Sequence, residues 1–120
     1  MPRQDNRRSP RVEIRLPFSY QMLRGKIVVP ERFQGTIVDL GYYGVRVEVT
    51  QPTALYSEAK LDLDLPLVGH RADDIYAKVV KATEQAGRFV LGLEFSSLSP
   101  ETESRVQLFV QILIQGNESR

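Results

Sequence analysis

The chain contains no cysteine. That excludes disulfides, thiolate metal sites and cysteine nucleophiles. It is compatible with the reducing cytosol in which we expect the protein to work. There is a single histidine, His70, in a connection next to Gly69. One imidazole without a neighbouring partner completes neither a zinc site nor a triad, so we expect no metal and read His70 as a loop residue. No apolar run approaches the roughly 18 residues of a membrane helix. The polar, basic N-terminus lacks the apolar stretch of a secretory signal. No glycine-rich loop opens a helix as a P-loop does, and no internal repeat is evident. Asp62 and Asp64 alternate with leucines, and Asp73-Asp74 read as a loop, so both pairs suit a solvated face better than acid–base work. With no nucleophile, base and orienting group to name, an enzyme is not expected.

What is present fits one domain, because 120 residues leave little room for a second independent core. The net charge of +1 conceals an asymmetry. Residues 1–32 carry eight Lys/Arg against three Asp/Glu, or +5, and residues 33–120 carry eight against twelve, or −4. An arginine-rich front end suggests an anionic partner. Charge alone equally allows a solvated basic tail.

Residues 1–11 form a polar arm without periodicity. Val12, Ile14, Leu16, Phe18 and Tyr20 then alternate with Glu13, Arg15, Pro17 and Ser19, which predicts a strand with one buried face. Pro17 lacks an amide hydrogen and predicts a bend or a free edge. Met22 to Arg32 reads as a hairpin region punctuated by Gly25 and Pro30. Further strands are predicted at Phe33 to Leu40, Val45 to Val49, Leu61 to Leu65, Ile75 to Thr83 and Phe89 to Phe95. Six short strands of this spacing predict a β-barrel over residues 12–96. The period changes after Ser99, a candidate N-cap followed by Pro100. Val106, Phe109, Val110 and Leu113 form an apolar helical stripe, widened by Leu108 and Ile112. A helix within residues 97–116, ended by Gly116, would cover one end of the barrel.

Arg7 and Arg11 are spaced R-x-x-x-R just before the first strand, with Arg8 between them. Arg3, Arg7, Arg11 and Arg15 give overlapping matches. We choose Arg7/Arg11 because Arg11 directly precedes the Val-x-Ile-x-Leu-Pro strand. Asp39 to Gly44 reads D-x-G-x-x-G, 28 residues on from Arg11. The two pieces in this order resemble the PilZ domain family, whose signature pairs R-x-x-x-R with [D/N]-x-S-x-x-G. Arg11-Val-Glu-Ile-Arg-Leu-Pro17 and Leu91-Gly-Leu-Glu-Phe95 are also similar to family text.

The resemblance implies an all-β fold, a six-stranded antiparallel barrel with a C-terminal helix, that binds cyclic di-GMP. It also implies a relay to a protein partner governing motility, exopolysaccharide or a related output. The implied nucleotide-binding residues are Arg7, Arg8, Arg11, Asp39, Gly41 and Gly44, with Tyr42 and Arg46 as further candidates. The chemistry agrees. An arginine fork pairs a phosphate bidentately, matches guanine O6 and N7 in plane, or stacks on a purine face. Asp39 offers acceptors for guanine N–H groups. Gly44 permits positive φ or close backbone approach. Gly41 stands where the family pattern has serine, so a hydroxyl is missing and the turn gains backbone freedom. Gly41 also motivates an alternative, a PilZ-like protein-interaction adaptor that binds no nucleotide. A barrel for single-stranded nucleic acid ranks below both. Oligomerisation through the C-terminal helix is a further expectation.

Overall fold

The computed structural model describes residues 9–118. The strands are β1 (Arg11–Arg24), β2 (Ile27–Val28), β3 (Phe33–Gly41), β4 (Gly44–Val49), β5 (Glu58–Leu65), β6 (His70–Gln85) and β7 (Arg88–Ser97), followed by helix α1 (Pro100–Glu118). β2 is a two-residue return on the end of β1. The other six strands run β1-β3-β4-β7-β6-β5, and β5 pairs back onto β1 to close an antiparallel barrel. β1 meets β5 only from Ser19 to Met22. Pro17 therefore has β3 on one side and no β5 ladder on the other, the free edge that its missing N–H requires.

Alternation fills the barrel. Val45, Val47 and Val49 point inward from β4, and Leu61, Leu63 and Leu65 from β5. Residues directly across the ladder, such as Val47 and Leu91, then share the core. Two bulges break this regularity at one place. On β3, Ile37 and Asp39 face the consecutive pair Val47 and Arg46, so Val38 is an extra residue. On β1, the stretch Glu13 to Leu16 is one residue longer than its partner Asp39 to Ile37. A bulge re-aims the side chains beyond it. Ile37 and Leu40 are thus both buried although three residues apart, and Asp39 faces outward.

The β6–β7 turn has Ala86 at φ 51° and Gly87 at φ 81°, the two positive angles of a tight two-residue hairpin. It stands at one end of the barrel with the β1–β2 turn and the loop of residues 50–57. The opposite end is covered by α1. Ser99 caps that helix, its hydroxyl accepting from the Thr102 amide at 3.1 Å, and Pro100 takes the first helical position. Thr102, Val106, Phe109 and Val110 are buried against the barrel. Arg105 donates to the Val68 carbonyl at 3.2 Å, tying α1 to the short 3-10 turn Pro66–Val68 between β5 and β6.

Four sequence readings need correction. The helix runs through Gly116 to Glu118 instead of stopping at the glycine. Leu108 lies two residues from Val106, on the far side of the helix, and is exposed. His70 and Asp73-Asp74 belong to β6, not to loops. Asp62 is no simple solvated residue, since Arg71 engages it with two guanidinium nitrogens, each 3.1 Å from one oxygen.

Candidate functional site

The two bulges set one row of outward positions across five strands: Glu13, Asp39, Arg46, Gly92 and Lys81 are successive ladder partners. Arg11 is the ladder partner of Gly41, and hence the diagonal neighbour of Asp39 on the same face. Its Nε donates to Asp39 Oδ1 at 2.7 Å. From the other side, Arg46 Nη2 lies 3.7 Å from Asp39 Oδ2. One carboxylate thus holds two guanidinium groups drawn from residues 28 and seven positions away in sequence. The carboxylate is largely covered, at 15% exposure, while the Arg11 and Arg46 side chains stay 43% and 50% exposed. Their remaining N–H edges are open to a ligand. Exposed pairs of this kind contribute about 0–1 kcal/mol to stability, so this geometry adds little to folding.

The two motif glycines do different work from the expected turn flexibility. Gly41 ends β3 and Gly44 begins β4, leaving Tyr42 and Tyr43 as the tip. Neither glycine has positive φ. A Cβ on Gly44 would lie 2.3 Å from the Leu93 carbonyl oxygen, so the glycine permits close strand contact. A Cβ on Gly41 would lie 3.0 Å from both Cγ and Nη1 of Arg11 and 3.2 Å from the Pro10 carbonyl oxygen. Gly41 is the bare backbone across which the Arg11 side chain lies. Tyr42 is partly buried against the core, and its hydroxyl accepts from the Gln111 side chain of α1. Tyr43 is the exposed aromatic of the tip, in edge contact with Tyr42 at 6.2 Å. Arg7 and Arg8 lie outside the described residues.

Beside this cluster is an open groove of about 580 Å³. Its apolar lining is Ile14 and Val38, the bulge residues, together with Val90. Arg15, Arg46 and Glu48 flank them. Glu48 repeats the arrangement at Asp39, with Arg15 Nη2 at 3.4 Å and Arg88 Nη1 at 3.6 Å from the same oxygen. The sequence motifs assign no site role to Arg15, Glu48 or Arg88. The available signal was the outward alternation of Arg46 and Glu48 on β4; the partners depended on ladder register.

A second polar cluster lies under the start of α1. Thr102 donates its hydroxyl hydrogen to Asp74 Oδ1 at 2.9 Å. Its oxygen therefore accepts from His70 Nε2 at 3.0 Å, which assigns the proton to that nitrogen. The Ser99 amide donates to Asp74 Oδ2 at 3.2 Å. Burial raises the Asp74 pKa, but the hydrogen bonds from Ser99 and Thr102 outweigh it and hold the carboxyl below its ordinary 3.8. This cluster fastens the helix. Among the described residues no group of three or more His, Asp or Glu side chains is placed to hold a metal ion. No helix among them is long and apolar enough to cross a membrane.

The motility inhibitor MotI of Bacillus subtilis superposes with a TM-score of 0.76 at 16% identity, over 94% of this chain and 53% of MotI. The PilZ domain of YcgR from Escherichia coli, solved with c-di-GMP, superposes with a TM-score of 0.67 at 16% identity, covering 93% of this chain and 94% of that domain. A tetrameric PilZ domain from Xanthomonas campestris, self-assembled through a helical bundle, gives 0.70 at 12% identity over 99% of this chain and 97% of its own. The chain spans about half the length of MotI and of a longer YcgR structure. These likenesses show a shared fold. No curated protein matches the chain in sequence. At the level of family, residues 5–111 match the PilZ domain, and the chain belongs to the PilZ domain family.

Proposed function

We propose that this chain is a non-enzymatic receptor domain for cyclic di-GMP, binding it at the Arg11–Asp39–Arg46 cluster and the adjoining groove. The observation that carries the proposal is the 2.7 Å contact between Arg11 and Asp39, with Arg46 on the second carboxylate oxygen. A cyclic dinucleotide presents two phosphates and two purines. Guanidinium forks suit the phosphates and the guanine O6/N7 edge. The Ile14, Val38 and Val90 surface, flanked by Arg15 and Arg46, suits a purine face. The segment preceding β1 brings Arg7 and Arg8 over the nucleotide, trading ordering entropy for enclosed surface. The ordered arm then presents a new surface to a protein partner that controls motility, exopolysaccharide or a related output.

Titration calorimetry with cyclic di-GMP tests this. Wild-type protein is expected to bind, and Arg11→Ala and Asp39→Ala to weaken binding about tenfold or more, since a charge-assisted hydrogen bond contributes about 1.5–3 kcal/mol. Absence of binding at about 50 μM nucleotide, some 6 kcal/mol of affinity, with Arg11→Ala indistinguishable from wild type, refutes the proposal. Gly41 favours a second reading, an adaptor that meets its protein partner without nucleotide, because the hydroxyl of the family pattern is absent. Binding seen only after Gly41→Ser would select that reading.

A further inference from the structure

The groove holds a second carboxylate, Glu48, whose oxygens are engaged differently from those of Asp39. At Asp39 each oxygen faces a guanidinium, Arg11 on Oδ1 at 2.7 Å and Arg46 on Oδ2 at 3.7 Å, and the side chain is largely covered. Little acceptor capacity is left there for a base. At Glu48 both arginines lean on one oxygen, with Arg15 Nη2 and Arg88 Nη1 at 3.4 and 3.6 Å from Oε1. No described residue donates a hydrogen bond to Oε2. The side chain is 28% exposed, and Oε2 is not closed off from solvent. It is an open acceptor in the wall of the groove.

The rest of the groove restricts what meets that acceptor. Ile14, Val38 and Val90 make an apolar floor for the flat face of a purine. Val90 is the ladder partner of Glu48, so floor and carboxylate are neighbours on one outward row. A base lying on the floor turns an edge toward Glu48. A carboxylate can only accept hydrogen bonds. Guanine offers it two adjacent donors, N1–H and N2–H, whereas adenine has the N1 lone pair at the matching place and is repelled. Arg15 also lines the groove beside the carboxylate, within reach of O6, the guanine acceptor next to N1. The contacts of Arg15 and Arg88 to Glu48 are long and their side chains are exposed, so either arginine exchanges its contact for a ligand at little cost.

We propose that Glu48 is the base-selecting residue of the nucleotide site. Its carboxylate accepts from N1–H and N2–H of one guanine, Arg15 donates to O6, and Arg11 and Arg46 hold phosphate oxygens. The assignment rests on cyclic di-GMP binding in this groove and names the group that makes the base guanine.

Titration calorimetry with two nucleotides tests it. In cyclic di-IMP hypoxanthine replaces guanine, so only the 2-amino groups are lost. Wild-type protein is expected to bind cyclic di-GMP about tenfold or more tighter than cyclic di-IMP, the worth of a hydrogen bond to a charged acceptor. Glu48→Ala is expected to bring the two affinities to within about twofold of each other. It also removes a negative charge from an anion site, so binding of cyclic di-IMP is expected to persist. Arg11→Ala is expected to weaken both nucleotides and to keep their ratio. A wild-type ratio near one, or a ratio that survives in Glu48→Ala, overturns the assignment and leaves the receptor reading standing. Loss of cyclic di-IMP binding in Glu48→Ala also overturns it, since the carboxylate would then serve to place Arg15. Binding of neither nucleotide by wild-type protein overturns the receptor reading and the assignment together.

Discussion

Replacing Gly41 by serine separates two effects that meet at one atom. The new Cβ would sit 3.0 Å from Cγ and Nη1 of Arg11 and 3.2 Å from the Pro10 carbonyl oxygen. These contacts are a few tenths of an ångström too close. Arg11 is a flexible side chain at 43% exposure, so it gives way with little cost. At most the Arg11–Asp39 pair is strained, an exposed pair contributing about 0.2–1 kcal/mol. Removing glycine from a strand returns about 0.5–1 kcal/mol, so fold stability is expected to change by less than about 1 kcal/mol. The hydroxyl adds one hydrogen bond to the bound nucleotide, about 0.5–1.5 kcal/mol or 2- to 13-fold. We therefore expect tighter binding of cyclic di-GMP by calorimetry and a nearly unchanged melting temperature. Gly41→Ala adds the Cβ without the hydroxyl, so the Ser/Ala affinity ratio isolates the hydrogen bond. Equal affinities for Ser and Ala refute the hydroxyl argument. Weaker binding by both would mean that Gly41 is there to seat Arg11.

Other substitutions test the scaffold. Gly44→Ala forces a Cβ to within 2.3 Å of the Leu93 carbonyl oxygen and is expected to cost about 1–3 kcal/mol or more in chemical denaturation. Phe109 is 3% exposed beneath α1, so Phe109→Ala is expected to cost about 3–5 kcal/mol and to shift the amide resonances of Thr102 and Tyr42. The Asp74 carboxyl sits below its ordinary 3.8 in the folded protein. Its contribution to stability is complete above 3.8 and is lost as pH falls through the depressed folded value. A melting-temperature series from neutral pH down to about 3 is expected to fall less steeply at its acid end for Asp74→Asn than for wild type.

The order of the six barrel strands and the capping helix was written in the sequence wherever alternation was uninterrupted. Val45-Val47-Val49 and Leu61-Leu63-Leu65 needed only the two-residue period, and Ser99-Pro100 only the chemistry of a helix start. The bulges were not legible. Nothing local in Ile37-Val38-Asp39-Leu40 states that Val38 is extra, because the extra residue exists only relative to β4. The pairing of Arg15 and Arg88 with Glu48 depends on cross-strand placement and was missed for the same reason. Tyr42 shows another limit. A motif marks a position, but the partner on α1, Gln111, is 69 residues away and follows from tertiary packing. His70 read as a lone loop residue because its partner Thr102, like Asp74 behind it, is brought close only when α1 docks.

Val38 also acts as a frame shift written in a strand. Side chains alternate with a period of two, so every residue after an insertion is read on the opposite face. Were Val38 to take an ordinary place in the ladder, the count from Ile37 would run on unbroken. It would turn Asp39 into the space filled by Leu40, which is 1% exposed, and carry Leu40 out to the solvent. The carboxylate joining Arg11 to Arg46 is therefore fixed by where one valine interrupts the count as much as by the residues that name the motif. An alignment that matches the letters but slips that one position would match the signature and lose the site.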